Sequence, residues 1–153
     1  MNKKNIIAIF MFFSFFLTDI GLSQEGDNFP IERNEPYEIT SENMFIEREK
    51  KTINFSGNVI LKQGSAYLTA NQIELFFDKN FSQEGFYKML ASGNILIKNN
   101  DSTSITSNLA TYNVNDEKIV MTENVVLKNQ MSMINGNKLI LDINSGKIEI
   151  FDD

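Results

Sequence analysis

The 153-residue chain has no cysteine, no histidine and no tryptophan, and only two prolines. Without Cys, neither a disulfide framework nor a thiolate metal site can form. Without His, the commonest general base and the commonest metal ligand are missing. No GxSxG nucleophile motif stands in for them. Paired carboxylates of the glycosidase kind remain as an enzymatic alternative, but nothing in the sequence singles out a pair. The chain therefore reads as a non-enzyme with no cofactor and no metal site. Lys and Arg number 14 against 20 Asp and Glu, for a net charge of −6, and they form no basic cluster. Nucleic-acid binding, which depends on cations neutralising phosphates, is not expected. Both prolines, Pro30 and Pro36, precede Tyr37. The proline-free remainder suits a sheet in which neighbours need every backbone N–H.

An apolar fraction of 42% with 13 Phe is enough for one packed core. The N-terminus, MNKKNIIAIFMFFSFFLTDIGLSQEGD, has the three parts of an export signal. Lys3 and Lys4 are the basic part, and Ile6 to Leu17 is apolar apart from Ser14. Gly21 and Ser23 place small residues three and one positions before Gln24. The apolar stretch is shorter than the ~18 residues of a membrane span. Residues 1–23 are read as a cleaved signal peptide, so the protein is exported with a mature chain from about Gln24. Losing Lys3, Lys4 and Asp19 takes the net charge from −6 to −7. Residues 24–35, polar and bounded by Pro36, read as a flexible leader before a single domain at 36–151.

Within that domain no helical periodicity is sustained, whereas period-2 alternation runs throughout, as in Ile53 and Phe55, Val59 and Leu61, or Ile119 and Met121. INFSGNVILKQG at 53–64 recurs as LASGNILIKNN at 90–100 and as IVMTENVVLKNQ at 119–130. Units of about 30 residues mean stacked supersecondary elements sharing one interior. The alternation slips phase at Asn71-Gln72, Asn108-Leu109 and Asn137-Lys138, which predicts bulges or corners between two sheets. Gly57-Asn58 and Gly93-Asn94 are read as the opposite corner, where Gly tolerates positive φ. Glu123 replaces that Gly in the third copy and is expected to face solvent. The resulting architecture is all-β: about fifteen short antiparallel strands in two sheets joined at both sides, a flattened open barrel or jelly roll. On pattern alone its apolar interior reads first as an ordinary packed core, with a binding surface as the alternative.

The repeated Gly-Asn-Val/Ile behind an export signal resembles the OstA-like family of envelope proteins over residues 36–151. The most specific block is EPYEITSENMFIEREKKTINFSGNVILKQGSAYLTANQIEL, with ASGNILIK and GNKLILDINSGKIEIF as further matches. The resemblance implies an OstA-like β-jellyroll in the periplasm that takes lipid A acyl chains into its interior and so carries lipopolysaccharide between membranes. It further implies head-to-tail self-association and docking on an LptC-like inner-membrane partner and an LptD-like outer-membrane partner. Carried onto this chain, the lipid-contacting residues are Tyr37, Ile39, Ile46, Ile53, Phe55, Val59, Leu61, Leu68, Ile73 and Leu75. The docking edges are Tyr37, Glu38, Ile39 and Thr40 at one end, and Lys147, Ile148, Glu149, Ile150 and Phe151 at the other. Two rivals carry other readings of the same fold: a membrane-anchored LptC-type partner, and an exported structural filament with a dry interior.

Overall fold

A computed structural model describes residues 29, 31–32, 34–78, 85–99 and 102–152, so the expected signal peptide lies outside the described residues. Among the described residues there are nine strands: β1 (Tyr37–Thr40), β2 (Asn43–Glu47), β3 (Thr52–Gln63), β4 (Ala66–Phe76), β5 (Lys88–Lys98), β6 (Ser104–Asn113), β7 (Lys118–Lys128), β8 (Met133–Asp142) and β9 (Ile148–Phe151). They form one antiparallel meander in which β3 to β9 pair in sequence order and β1 and β2 share the outer edge of β3.

Each strand from β3 to β8 is interrupted at mid-length by a register shift or faces one on its neighbour. Ser56 pairs Gln72 and Val59 pairs Ala70, leaving Gly57-Asn58 opposite Asn71. The same step separates Ser92 from Ile95 opposite Asn108, and Thr122 from Val125 opposite Asn137. The corner residues take left-handed backbone: φ is 81° and 45° at Gly57 and Asn58, 77° and 48° at Gly93 and Asn94, and 65° and 55° at Glu123 and Asn124. Counting the six bent strands twice gives the fifteen short strands expected from the sequence. The β-jellyroll class expected from alternation is the one observed.

One expectation is corrected. The Gly-Asn pairs do not form a second corner opposite the Asn-containing one. They lie in register with Asn71, Asn108 and Asn137, so there is a single fold line. The reason is geometric: antiparallel neighbours cross the same bend, one by two left-handed residues and the other by a single-residue slip. The sheet thus doubles over into two layers. The β1 layer holds β1, the second halves of β3, β5 and β7, and the first halves of β4, β6 and β8. The β2 layer holds β2, β9 and the remaining halves.

Alternation places Val59, Leu68, Ala70, Ile97 and Ile105 of the β1 layer and Ile73, Leu75, Met89, Met121, Leu139 and Leu141 of the β2 layer in one buried cluster. Ile73, Ile105, Leu139 and Leu141 are completely covered. An open single sheet cannot cover them, so each layer is the lid of the other. Glu123 is exposed, as its charge requires.

The leader also departs from expectation. Phe29 is fully buried within the core and Ile31 packs against it. Phe29 N–H donates to the Gly146 carbonyl (3.0 Å), and Ser65 N–H donates to Glu32 Oε2 (3.1 Å). Burying one aromatic ring offsets part of the cost of ordering these residues, and the hydrogen bonds and Ile31 packing add to it.

Candidate functional site

The doubled sheet has a closed side, along the corner, and an open side where the turns of both layers form two rims. The β2-layer rim is laced by backbone hydrogen bonds from Phe77 to Lys51, Val114 to Tyr87 and Ile143 to Glu117. The β1-layer rim includes the Gly64-Ser65 turn between β3 and β4. Between the rims lies a cavity of about 270 Å³. Its walls come from both layers: Leu61, Ala66, Leu68 and Ile97 on one side, Met89, Tyr112 and Ile119 on the other. Ile31 of the leader, Phe86 of the β4–β5 connection, and Val114 and Ile143 also line it.

Among the described residues that line this space none is charged. The residues with polar side chains among its described lining are Gln63, Tyr37, Tyr67 and Tyr112. Phe86 bridges the layers, edge to face with Tyr37 (5.6 Å between ring centres) and with Tyr112 (6.2 Å). The charged groups with displaced titration lie outside the cavity. Donation from the Ser145 backbone and hydroxyl holds Asp142 below its ordinary value. The Lys147–Glu149 hydrogen bond (2.6 Å) raises the lysine and lowers the carboxylate. Among the described residues no group of three His, Cys, Asp or Glu side chains stands close enough to hold a metal. The described lining offers mainly apolar contact.

Of the ten residues singled out in the sequence, Tyr37, Leu61 and Leu68 line the cavity. Phe55, Val59, Ile73 and Leu75 are buried in the close-packed cluster, and Ile39 and Ile53 pack against it. Ile46 is half exposed, on the free edge of β2. Sequence reasoning missed Met89, Ile97, Tyr112 and Ile119, although their inward parity in β5, β6 and β7 was available. It also missed Ile31 and Phe86, which lie outside any alternating segment and carried no signal.

The ends of the sheet form a second feature. Exposed large apolar side chains are concentrated there: Tyr37, Met44, Phe45 and Ile46 at the first edge, Met131, Met133, Ile134 and Phe151 at the last. Soluble surfaces rarely collect such residues on unpaired strands, because edges template association. At the last edge β9 covers only Lys138 to Leu141 of β8. Among the described residues no strand pairs the outer side of Met133–Asn137. Of the segment Lys147–Phe151 expected to dock, β9 therefore forms only half of that edge, in the β2 layer alone.

Comparison with known proteins agrees with this architecture. The crystal structure of LptH from Pseudomonas aeruginosa, described as the LptA-homologous periplasmic component of a conserved lipopolysaccharide transport device, superposes with a TM-score of 0.68 at 18% identity. The match covers 81% of this chain and 87% of that one. The lipopolysaccharide export system protein LptA of Haemophilus influenzae is 26% identical over 121 residues, covering 76% of this chain and 70% of the relative. The model of the family described as LptA/(LptD N-terminal domain) LPS transport protein matches residues 38–147, from the second residue of β1 to the turn before β9. With the corner, the doubled sheet and most of the chain inside that match, this protein belongs to the LptA/LptD N-terminal domain family of LPS transport proteins.

Proposed function

We propose that this chain is a periplasmic bridge protein that carries lipopolysaccharide from the inner to the outer membrane, holding its lipid A acyl chains between the two layers. The observation that carries this reading is the cavity, walled mainly by apolar side chains of both layers, with no charged group among its described lining residues, and placed where the doubled sheet is open. Transfer of methylenes from water into such a space is worth ~0.8 kcal/mol each, so a chain of ~12 methylenes gains ~10 kcal/mol. This outweighs the unfavourable meeting of an acidic protein with an anionic lipid, which is screened beyond a Debye length of ~8 Å. A dry filament has no use for unfilled apolar space, since interiors otherwise pack to crystal-like density.

Export by a signal peptide cleaved before Gln24 supplies the location, and both ends of the sheet supply the partners. Strand directions alternate, so β9 runs antiparallel to β2. When copies stack in one orientation, β9 of one meets β2 of the next as an antiparallel pair, which is β-strand addition. An LptC-like partner at one end and an LptD-like partner at the other would dock in the same way through their own edges.

The test is photo-crosslinking in cells that make lipopolysaccharide, with the reactive residue at Ile39, which packs against the core, or at exposed Glu38. An ultraviolet-dependent lipopolysaccharide adduct is expected at Ile39 and not at Glu38. Absence of an adduct at Ile39, with the protein exported and folded, overturns the reading.

A further inference from the structure

The contacts of the leader assign it a role. Three positions separate Phe29 from Glu32, a span of at most ~11 Å of chain. Yet Phe29 N–H bonds Gly146 on the β2-layer rim and Glu32 accepts from Ser65 on the β1-layer rim. Phe29 and Glu32 thus contact the two rims on the side opposite the corner. A third tie follows, from Gln63 Nε2 to the Glu35 carbonyl (3.0 Å). Beneath these ties Phe29 is fully buried and Ile31 lines the cavity. Ile31 thus takes up part of the cavity wall, and Phe29 takes up core space next to it.

We infer that the leader residues Phe29, Ile31 and Glu32 act as a displaceable strap: they occupy the open side of the interior in the lipid-free protein and compete there with an acyl chain. The inference rests on the lipopolysaccharide-carrying reading and adds a loading route, lateral between the rims rather than endwise through the sheet. Three observations carry it. First, the strap belongs to no strand, and its ties from Gln63 and to Ser65 are exposed to water, so it is held far less firmly than the laddered strands beside it. Second, the cavity beneath it is only about 270 Å³, below the ~300–1,000 Å³ typical of pockets that enclose a small ligand. An acyl chain gains room when Phe29 and Ile31 leave. Third, what leaves matches what arrives: an apolar ring and a branched alkyl group give way to methylenes. The core then stays covered in both states, and release of lipid is assisted by the returning strap. A carrier that must pass its cargo on gains from such a competitor, because tight binding without competition would hold the lipid in place.

The chain has no cysteine of its own, so a thiol pair can be introduced without side reactions. The full chain carrying Glu32→Cys and Ser65→Cys, purified from the envelope of an exporting cell, is closed with a short reductant-cleavable thiol crosslinker. Binding of purified lipopolysaccharide is measured before and after cleavage. Closure should weaken binding at least about tenfold, by removing the open fraction, and cleavage should restore it. As a second variant, Phe29→Asp should bind more tightly and load faster than the parent while keeping its β circular-dichroism spectrum. Equal binding by the closed and cleaved forms, or no gain in folded Phe29→Asp, overturns the strap. Failure of every folded form, parent included, to bind lipopolysaccharide refutes the carrier reading itself and the strap with it.

Discussion

Gly57 and Glu123 occupy equivalent positions on the fold line, with φ of 81° and 65°, but only the glycine holds that backbone without a steric cost. A Cβ at Gly57 would lie 2.9 Å from the Cβ of Glu42, which has its own N–H bonded to the Gly57 carbonyl (3.0 Å). A side chain in left-handed backbone costs ~1–2 kcal/mol. Glu123→Gly is therefore expected to stabilise the protein by about 1 kcal/mol, after the unfolded-state entropy of the new glycine is set against the strain. Gly57→Ala should destabilise it by about 2 kcal/mol, since strain and the Glu42 contact add. Denaturant unfolding of the two variants checks both signs, and a destabilised Glu123→Gly would show that the Glu123 bend is unstrained.

Asp142 sets a pH response in the turn between β8 and β9. Its carboxylate accepts from the Ser145 N–H (2.9 Å), and the folded-state pKa lies below the ordinary 3.8. A depressed acid contributes stability that is fully present above its unfolded pKa and lost as the pH falls through the lower folded value. The turn should accordingly hold at neutral pH and loosen only below about pH 4. Because Gly146 of this turn also accepts from Phe29, the leader should loosen with it. Amide exchange at Ser145 and Phe29, followed from pH 6 to 3, should rise together below pH 4 beyond the intrinsic pH dependence, and Asp142→Asn should show raised exchange at all of these pH values.

The alternation and its phase slips made the fold legible, because a period of two with a one-residue slip has few physical realisations other than a bent strand. Ile105 and Ser107 against Ala110 is one such slip, and all three are buried. The number of fold lines was not legible. Gly57-Asn58 and Asn71 look like different devices in the sequence, and only the pairing of Ser56 with Gln72 and Val59 with Ala70 puts them on one line. The cavity was legible only where its walls alternate, as at Leu61 and Leu68. Phe29 could not be read at all: a single aromatic among polar residues and prolines has no period, and its burial depends on a rim formed more than 110 residues later, at Gly146.

Phe86 is expected to hold the two rims together through its edge-to-face contacts with Tyr37 and Tyr112. Each such pair contributes ~0.5–1.5 kcal/mol beyond burial. Phe86→Ala should then cost about 2 kcal/mol, and Phe86→Leu, which keeps most of the apolar volume, about 1 kcal/mol. Guanidinium unfolding of both variants measures this. Equal losses would mean that volume, not ring geometry, joins the rims.

The exposed apolar side chains at the two edges separate two kinds of assembly. Met44 pairs with Phe55 and Ile134 with Leu127, so both share the inward parity of their buried partners. A lysine at either position would place an inward charge at a docking edge, a device that natural sheets use to block association. Burying that charge uncompensated costs ~3 kcal/mol or more, over a hundredfold in affinity. In a head-to-tail contact each interface needs one first edge and one last edge. Met44→Lys alone should then be monomeric, and so should Ile134→Lys. Mixed together, the intact last edge of one variant meets the intact first edge of the other, giving a one-to-one dimer that cannot grow. A contact between like ends gives a different pattern: one variant would keep dimerising alone, and mixing would rescue nothing. Sedimentation velocity on each variant and on the mixture distinguishes these cases.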